Sequence, residues 1–334
     1  MMNRRVYTSN GAISLVEYQK CDDRALYENW QDADTQKGYN GVYYTDYEAF
    51  EHRTLKNRFF AMIKQNTTGE LIGAVGVSPP ETTPDLAIWM FKPYRRQGYG
   101  TAAFALTTKY LTEVLEITEL HAGAFPDNVG SQKMLKRCGY TPYPAGNISE
   151  KHYITGEDIV QMDYIYSPIV IRLAVRADAP DMAEVHMRSW EAAYKDIVPE
   201  EYIREKNALR PALWERVLSE ANTTQYIIKK GGKTAGMIGI GPSRDEDAGS
   251  DVYELMGLYL LPEYFRQGIG SQAMEFAFDK ARELDKKIMT VWLMADNLNA
   301  KSFYEKCGFT KDGKSRISER GRIMEDIRMR RELQ

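Results

Sequence analysis

The chain has 334 residues, of which 43% are hydrophobic and 27% charged, as is typical of a globular protein. At roughly 150 residues per domain, this length predicts two domains. The net charge of −3 excludes the basic surface that nucleic-acid binding requires, so we expect no nucleic-acid partner. No apolar run of about 18 residues and no signal-peptide pattern is present, so we expect a cytoplasmic protein without a membrane partner. Three cysteines and four scattered histidines predict neither a disulfide framework nor a metal site.

Hydrophobic periodicity predicts strands and helices in alternation along the first half. The predicted elements are strand 12–18, helices within 22–57, strands 58–65, 70–78 and 85–91, helix 98–115, strand 118–124, helix 128–138 and strands at the end. Ser167-Pro168 then interrupts the alternation, and a new β-like run starts at Ile169. This break predicts a boundary between an N-terminal domain, 1–168, and a C-terminal domain, 169–334.

The second half repeats the same order of elements. The predicted elements are strand 169–175, helix 178–193, a helical stretch 199–220, strands 224–230, 233–241 and 252–261, helix 268–285, strand 288–294, helix 299–306 and a final pair of strands within 308–330. Gly231-Gly232 is typical of a hairpin turn, and Pro211 is expected to break the helical stretch that contains it. Each half is therefore predicted to be an α/β (α+β) domain, with a mixed central sheet flanked by helices.

Two short motifs occur in each half at matched spacing. Arg95-Arg96-Gln97-Gly98-Tyr99-Gly100 corresponds to Phe265-Arg266-Gln267-Gly268-Ile269-Gly270, and Cys138-Gly139 corresponds to Cys307-Gly308. The motifs are separated by 41 residues in the first half, counted from Gly98 to Gly139, and by 40 in the second. Asn128 and Asn297 each lie eleven residues before the Gly of the later motif. The repeating unit is therefore a whole domain and not a solenoid repeat.

The glycine motif joins an apolar strand to a helix in both halves. Such a turn presents unpaired backbone N–H groups and the positive end of a helix dipole, which together favour a phosphate or pyrophosphate. The third glycine of a dinucleotide-binding fingerprint and the Gly-Lys-Ser/Thr of a P-loop are both absent from it. A plain glycine-capped turn would explain one isolated copy. Two copies, each at a fixed distance from an Asn and a Cys-Gly, favour ligand binding.

The segment from Asn297 to Phe309, together with the glycine turn before it, resembles the GNAT superfamily of acyl-CoA N-acyltransferases. The resemblance covers essentially all of 169–334, where Ser189–Tyr194 resembles one bacterial branch of small-molecule and protein acetyltransferases. The first half resembles the branch that includes ribosomal-protein N-terminal acetyltransferases, through 95–100 and 128–131. The resemblance implies two GNAT domains in tandem and acetyl-CoA as the co-substrate. It also implies that the acetyl group moves to a primary amine by direct nucleophilic attack, without a covalent enzyme intermediate.

The resemblance further implies roles for individual residues. Tyr304 would protonate the departing thiolate, and Glu254 would take a proton from the ammonium substrate, directly or through water. The backbone of Leu258, Tyr259 and Leu260 would pair with the pantetheine arm of the cofactor. The remaining residues implied to bind the cofactor, chiefly its pyrophosphate, are Arg266, Gln267, Gly268, Ile269, Gly270, Ser271 and Asn297 in the second half and Arg95, Arg96, Gln97, Gly98, Tyr99, Gly100, Thr101 and Asn128 in the first.

Three positions depart from the family pattern. Phe265 stands where the pattern has Gln or Arg, and Leu135 stands where the second half has Tyr304. A count of 14 residues back from Gly98, the distance that separates Glu254 from Gly268, reaches Pro84, with Asp85 beside it. We therefore expect the C-terminal domain to be the catalyst. The N-terminal domain is then a second active domain, a degenerate partner that shapes the acceptor site, or a regulatory module that binds CoA or a metabolite.

Simpler structural roles are open for several of these side chains. Tyr304 could be a core residue and Glu254 a solvated residue at a strand edge. Trp190 and Tyr194, four residues apart on one helix face, could pack in the core or line the acceptor site. The sequence does not identify the amine acceptor, because amino acids, polyamines, antibiotics and protein N-termini all fit. A homodimer is also left open.

Overall fold

The structure is a computed structural model that describes residues 4–220 and 224–333. The chain divides into two compact units, Met1–Pro168 and Ile169–Gln334. Both units contain sheets flanked by helices, which confirms the predicted α/β class. The described strand pairs of the first unit are antiparallel, whereas the sheet of the second unit is mixed. Within the described ranges, none of the helices combines the length and the apolar character needed to cross a membrane.

The described residues of the first unit form two sheets and five α-helices. Its strands are β1 (Val6–Ser9), β2 (Ile13–Glu17), β3 (Phe59–Gln65), β4 (Leu71–Val77), β5 (Leu86–Met90), β6 (Leu120–Ala124), β7 (Thr141–Pro142), β8 (Ile148–Lys151) and β9 (Asp158–Tyr166). Its helices are α1 (Asp23–Trp30), α2 (Ala33–Gly38), α3 (Tyr47–Glu51), α4 (Tyr99–Glu113) and α5 (Val129–Arg137). The larger sheet has the order β1-β2-β3-β4-β5, and the smaller has β6-β9-β7 with β8 beside β9.

The larger sheet of the first unit is buried on both faces. Successive residues of a strand point to opposite faces, so Ile63 packs with Phe104 of α4 while Met62 packs with Leu26 of α1 and Phe50 of α3. All five side chains are at most 4% exposed. Burying one side chain of this size contributes roughly 1.5–3 kcal/mol. The two apolar faces therefore hold β5, and the turn that follows it, in a fixed position.

Over 169–220 and 224–333, the second unit has one seven-stranded sheet and four α-helices. Its strands are β10 (Ile169–Leu173), β11 (Gln225–Lys230), β12 (Lys233–Pro242), β13 (Val252–Leu260), β14 (Ile288–Met294), β15 (Thr310–Glu319) and β16 (Ile323–Glu332). Its helices are α6 (Ala179–Tyr194), α7 (Glu200–Val217), α8 (Ile269–Glu283) and α9 (Leu298–Lys306). The strand order is β10-β11-β12-β13-β14-β16-β15. β13 and β14 are parallel and are connected through α8, as parallel neighbours require.

In each unit, two neighbouring strands are paired at one end only, and the gap that opens beyond the paired part is called the wedge. β13 pairs with β14 over Val252–Leu255 and Ile288–Val291, and β13 then continues to Leu260 along β12. In the first unit, a parallel bridge between Asp85 and His121 lies between β5 and β6 at the corresponding place. The wedge strand is β5 in the first unit and β13 in the second. A glycine turn follows it in both units, so each wedge opens toward a glycine turn.

The structure differs from the predicted elements at three places. β1 has no predicted counterpart, and the first unit divides its strands between two sheets at the wedge. Pro211 lies inside α7, which runs without interruption from Glu200 to Val217. Proline removes one backbone hydrogen bond from a helix, and the apolar contacts of α7, such as those of the buried Trp214 with Met182 of α6, compensate for that loss.

Candidate active sites

The two glycine motifs form turns of the same backbone conformation. Gly98 precedes α4 and Gly268 precedes α8, with φ angles of +88° and +78°. Arg96 and Arg266, two residues earlier, both have φ of 60°. Glycine adopts a left-handed conformation without steric cost, and a Cβ atom at either glycine would meet no atom within 4 Å. The space in front of each turn is therefore open to a ligand.

The donor groups of the turns fit a pyrophosphate. The first N–H groups of a helix have no partner within the helix. Helical hydrogen bonding begins at Ala102, whose N–H donates to the Gly98 carbonyl, and at Gln272, whose N–H donates to the Gly268 carbonyl. The positive end of each helix dipole adds to the attraction for an anion. In the first unit the turn lines a cleft of about 730 Å³, together with Thr101 and Asn128. The residues present thus fit the phosphate end of coenzyme A.

The Arg95 side chain has structural partners in the first unit. Its Nη1 forms an ion pair with Asp32 Oδ2 at 2.6 Å, and its Nη2 donates to Thr35 Oγ1 at 2.7 Å and to Asn29 Oδ1 at 3.1 Å. The Arg95 side chain therefore links the start of α2 to the turn. Only the backbone of Arg95 is left to bind a ligand. Phe265 stands at the same position of the second turn and is 43% exposed, so the second turn has no such anchor.

Most of the other predicted turn residues make contacts within the protein. Gln97 and Gln267 each donate from Nε2 to the backbone carbonyl four residues earlier, at 2.7 Å. The Tyr99 hydroxyl accepts a hydrogen bond from Gln65, and Ile269 is buried in the core of the second unit. A Cβ atom on Gly270 would lie 3.3 Å from the ring of Phe303, so the second glycine allows α8 to pack closely against α9. Ligand contacts at the turns are therefore left mainly to the backbone N–H groups.

The segment Leu258–Leu260 lies beyond the part of β13 that pairs with β14. Its residues pair with β12 on the other edge, at Gly236, Met237 and Ile238. A strand presents backbone donors and acceptors at both edges, so the edge that faces the wedge can pair with an amide of a ligand. Leu258 and Leu260 pack toward α8, whereas Tyr259 packs on the α6 side of the sheet. This arrangement fits the predicted pairing with the pantetheine arm.

Asn128 and Asn297 are both helix N-caps. The Oδ1 atom of Asn128 accepts from the backbone N–H of Ser131 at 3.1 Å, and that of Asn297 accepts from Ala300 at 3.0 Å. These oxygens are thus used by the helices that follow. The Asn297 side chain also forms a hydrogen bond that stabilises the ionised form of Tyr194. Capping accounts for an asparagine at matched spacing in both halves.

Tyr304 lies in the core beside the wedge of the second unit. It is 7% exposed and packs against the rings of Phe303 and Phe309. Burial raises the pKa of Tyr304, and the neighbouring Tyr194 and Tyr259 add to the shift, so its hydroxyl is protonated at any working pH. Three tyrosines from α6, β13 and α9 are therefore grouped at this place. The sequence analysis assigned a role to the hydroxyl of Tyr304 only.

Glu254 is a buried residue with an arginine partner and not a solvated residue at a strand edge. It is 1% exposed, on the wedge strand β13. Its Oε2 accepts from the Arg244 backbone N–H at 3.0 Å and from Arg244 Nε at 3.2 Å, and its Oε1 accepts from Nη2 of the same residue. A carboxylate has about four acceptor positions, so one position is left for a water or an ammonium group.

The wedge strand of the second unit contains one residue more than that of the first. Met256 is a β-bulge, since the register between β12 and β13 shifts at this point, whereas β4 and β5 pair without interruption. The pairs on either side are Gly239–Gly257 and Ile240–Leu255 in the second unit and Gly76–Ala87 and Val77–Leu86 in the first. Asp85 is consequently the counterpart of Glu254, although a count along the sequence reaches Pro84.

Asp85 and His121 form a small charged cluster in the first unit. Asp85 lines the cleft, and His121 hydrogen-bonds to Asp163 through Nδ1 at 2.6 Å and to Glu119 through Nε2 at 3.3 Å. Asp85 is exposed at the cleft, and partial desolvation by the surrounding protein together with the nearby Asp163 raises its pKa, while His121 opposes that shift. Burial alone would lower the pKa of His121, but its hydrogen bonds to Asp163 and Glu119 outweigh burial and raise it. A carboxylate with a raised pKa is a stronger base, which suits Asp85 to proton transfer.

Two family models match the chain, one in each half. A model described as acetyltransferase (GNAT) domain matches residues 13–141, and one described as acetyltransferase (GNAT) family matches residues 180–309. Together they cover more than half of the chain. The chain therefore belongs to the GNAT family of acetyltransferases and carries two such domains, as the resemblance predicted. Acetyl-CoA is the co-substrate of this family.

Several relatives are similar to part of this chain. The uncharacterized N-acetyltransferase YuaI of Bacillus subtilis is 29% identical over 131 residues, which are 39% of this chain and 73% of that protein. A probable N-acetyltransferase of Mycobacterium tuberculosis is 29% identical over 154 residues, 45% of this chain and 84% of the relative. The crystal structure of a PaiA N-acetyltransferase from Thermoplasma acidophilum in complex with coenzyme A covers 49% of this chain and 99% of its own, with 24% identity and a TM-score of 0.40. With the family matches, the two sequence relatives identify the protein as an acyltransferase enzyme.

Proposed function

We propose that the C-terminal domain transfers the acetyl group of acetyl-CoA to a primary amine by direct attack. The observation that carries the proposal is the packing of Tyr304 in one core cluster with Leu258, Leu260 and Ile269, beside the wedge of the second unit. The glycine turn at Gly268 and the backbone edge of Leu258–Leu260 adjoin the same wedge. Phosphate binding, thioester binding and a proton donor are thus available in one place.

The proposed chemistry needs two proton losses from the nitrogen and one proton gain by the sulfur. Acetyl-CoA would supply a thioester, whose carbonyl carbon gains a bond to the amine nitrogen while its C–S bond breaks. Glu254 accepts the proton that the ammonium form of the substrate must lose, through a water at its remaining acceptor position. Tyr304 donates its hydroxyl proton to the sulfur as the electron pair of the C–S bond moves there. The nitrogen loses its second proton to water as the amide forms, and a proton from water restores the Tyr304 hydroxyl.

A second candidate function concerns the N-terminal domain. Asp85 lines the same cleft as the glycine turn at Gly98, so a base and a phosphate-binding turn adjoin one cavity. This favours a second acetyltransferase site over a purely regulatory module. Leu135, at the position of Tyr304, has no proton to donate, and a thiolate released in this domain would take its proton from water.

Replacement of Tyr304 by phenylalanine tests the main proposal. We expect Tyr304→Phe to lower kcat about 100-fold, because a general acid typically contributes at least that factor, while the affinity for acetyl-CoA stays unchanged. The assay is thiol release from acetyl-CoA with amino acids, polyamines, aminoglycosides and peptides with free N-termini. It is run in a Gly98→Glu background, so that the first turn does not contribute.

The control is Tyr253→Phe. Tyr253 lies on the same strand as Glu254 and is 5% exposed in the core of the second unit. Both variants remove one buried hydroxyl, and only that of Tyr304 is expected to matter for turnover. Full turnover by Tyr304→Phe would refute the assignment of the acid. Failure of the unmodified chain to bind acetyl-CoA in calorimetry would refute the proposed function as a whole.

A further inference from the structure

Arg210 is a partly buried cation on α7 without a carboxylate partner. Its Nε atom is buried and has no hydrogen-bond partner. Within 169–220 and 224–333, no aspartate or glutamate lies within ion-pair distance of its guanidinium. Other arginines of this unit do reach carboxylates: Arg172 reaches Asp178, Arg188 reaches Glu263, Arg244 reaches Glu254, Arg320 reaches Asp326 and Arg328 reaches Asp312. A desolvated charge of this kind is costly unless an anion pairs with it.

The described surroundings of Arg210 supply a hydrogen-bond donor and aromatic rings, with no carboxylate at ion-pair distance. The guanidinium carbon lies 5.0 Å from the centre of the Trp190 ring, and the indole Nε1 of Trp190 is also buried without a partner. Burial lowers the pKa of Arg210, while Tyr259 and Tyr202 oppose that shift. On the other side, burial and Arg210 lower the pKa of His186 to about 3, so this imidazole is neutral. The Nε atom of Arg210 and the Nε1 atom of Trp190 are therefore two buried donors without an acceptor among the described residues, and they lie beside aromatic rings.

Arg210 and the proposed reaction centre have aromatic neighbours in common. The Trp190 ring is 4.7 Å from that of Tyr194, and Tyr194 is a neighbour of the Tyr304 hydroxyl. Tyr259, which influences Arg210, belongs to the backbone segment proposed to hold the pantetheine arm. Tyr259 also influences Tyr304, so Arg210 and Tyr304 have this tyrosine as a common neighbour. Trp190 and Tyr194, four residues apart on one face of α6, pack against each other and against the apolar cluster that contains Val198 and Ile203.

We propose that Arg210 binds a carboxylate of the acceptor, so that the C-terminal domain acetylates amines that also carry a carboxylate, with α-amino acids as the chemical class. This inference rests on the proposed function of the same domain. A guanidinium donates two parallel hydrogen bonds to a carboxylate, and such charge-assisted bonds are strong where water is excluded. A polyamine or an aminoglycoside would instead bring a further positive charge toward Arg210.

The test compares acceptors that differ only in the carboxylate. The full chain with Gly98→Glu is assayed with each of the common L-amino acids and with the corresponding amino-acid amides. We expect KM for the free acid to be about 10- to 100-fold lower than KM for the amide, which is the range that a hydrogen-bonded charge supplies. Arg210→Gln should raise KM for the acid by the same factor and leave KM for the amide unchanged, and Arg210→Lys should restore part of the difference.

Arg216→Gln is the matched control, because Arg216 lies on the same helix and is exposed, and it should change neither KM value. Equal KM values for acids and amides, or an equal effect of Arg210→Gln on both, would overturn the proposal while the acetyltransferase function stands. If no acid is turned over, calorimetry with N-acetyl-L-amino acids on the CoA-loaded chain decides the matter. Binding that Arg210→Gln abolishes supports the proposal, and the absence of binding overturns it. Absence of acetyl-CoA binding refutes the proposed function itself.

Discussion

The two wedges of this protein share a backbone and differ in their acids and bases. At the turns, Gly98 and Gly268 have nearly the same φ, and so do the arginines before them. Inside the wedges, Asp85 stands next to a histidine, whereas its counterpart Glu254 is held by Arg244. The part that fits the pyrophosphate is therefore the same in both domains, and the part that would move protons is different.

This contrast separates two functions of the fold. A phosphate-binding turn depends on backbone N–H groups, which any sequence with the correct glycines can present. Proton transfer depends on side chains and their surroundings, which change with single substitutions. Leu135 in place of Tyr304 is such a difference. The repeat thus predicts two cofactor sites more strongly than it predicts two equal catalysts.

The largest expected effect is on the number of cofactor sites. The unmodified chain should bind two equivalents of acetyl-CoA in calorimetry, and Gly98→Glu or Gly268→Glu should each abolish one of them. A glutamate at either position places a negative charge in front of the N–H groups that face the pyrophosphate.

The matched controls are Gly98→Asn and Gly268→Asn. Asparagine tolerates a left-handed conformation and adds no charge, so both sites should be retained with reduced affinity. Two intact sites in the glutamate variants would show that the cofactor binds elsewhere. One site in the unmodified chain would mean that the two turns, despite their similar conformation, are not equivalent.

An effect of about 100-fold is expected at the acids of the two wedges. Glu254→Gln should lower kcat/KM of the C-terminal domain by this factor if Glu254 is the base, because a glutamine cannot accept the proton. Arg244→Gln, which disturbs the same pair but leaves the carboxylate in place, should cost much less. The measurement is the turnover of both variants in the Gly98→Glu background.

Asp85→Asn provides the corresponding test of the N-terminal domain. In a Gly268→Glu background it should remove the remaining turnover, while a chain with Asp85→Asn alone keeps the activity of the C-terminal domain. Equal losses for Glu254→Gln and Arg244→Gln would identify Glu254 as a structural partner of Arg244 and not as the base.

The smallest expected effect is on stability. Asn128→Ala and Asn297→Ala should each lower the free energy of unfolding by about 1 kcal/mol, since each removes a helix N-cap. Asn128→Asp and Asn297→Asp retain an oxygen acceptor and should restore most of that loss. Urea denaturation followed by circular dichroism measures the difference. A much larger loss for Asn297→Ala would indicate that its contact with Tyr194 also contributes.

The sequence predicts the repeated α/β fold and both turns well, because these depend on local patterns. It places helices at 98–115 and 268–285, where the structure has α4 (Tyr99–Glu113) and α8 (Ile269–Glu283). It fails at Pro211, because the packing of α7 on α6 outweighs the local cost of a proline. It also leaves the sheet of the first unit undivided, because strand pairing depends on residues that are far apart in the chain.

The glycine turns illustrate what the sequence determines by itself. A left-handed backbone is nearly free only for glycine, so Gly98 and Gly268 could be read from the chain together with their shared spacing. Only the tertiary structure decided what surrounds the charged side chains. The bulge at Met256 makes Asp85 the counterpart of Glu254. Asp32 forms an ion pair with Arg95, and Arg210 lies over the Trp190 ring with no carboxylate of the described residues at ion-pair distance. These environments depend on which strands and helices meet, and residues distant in the sequence supply them.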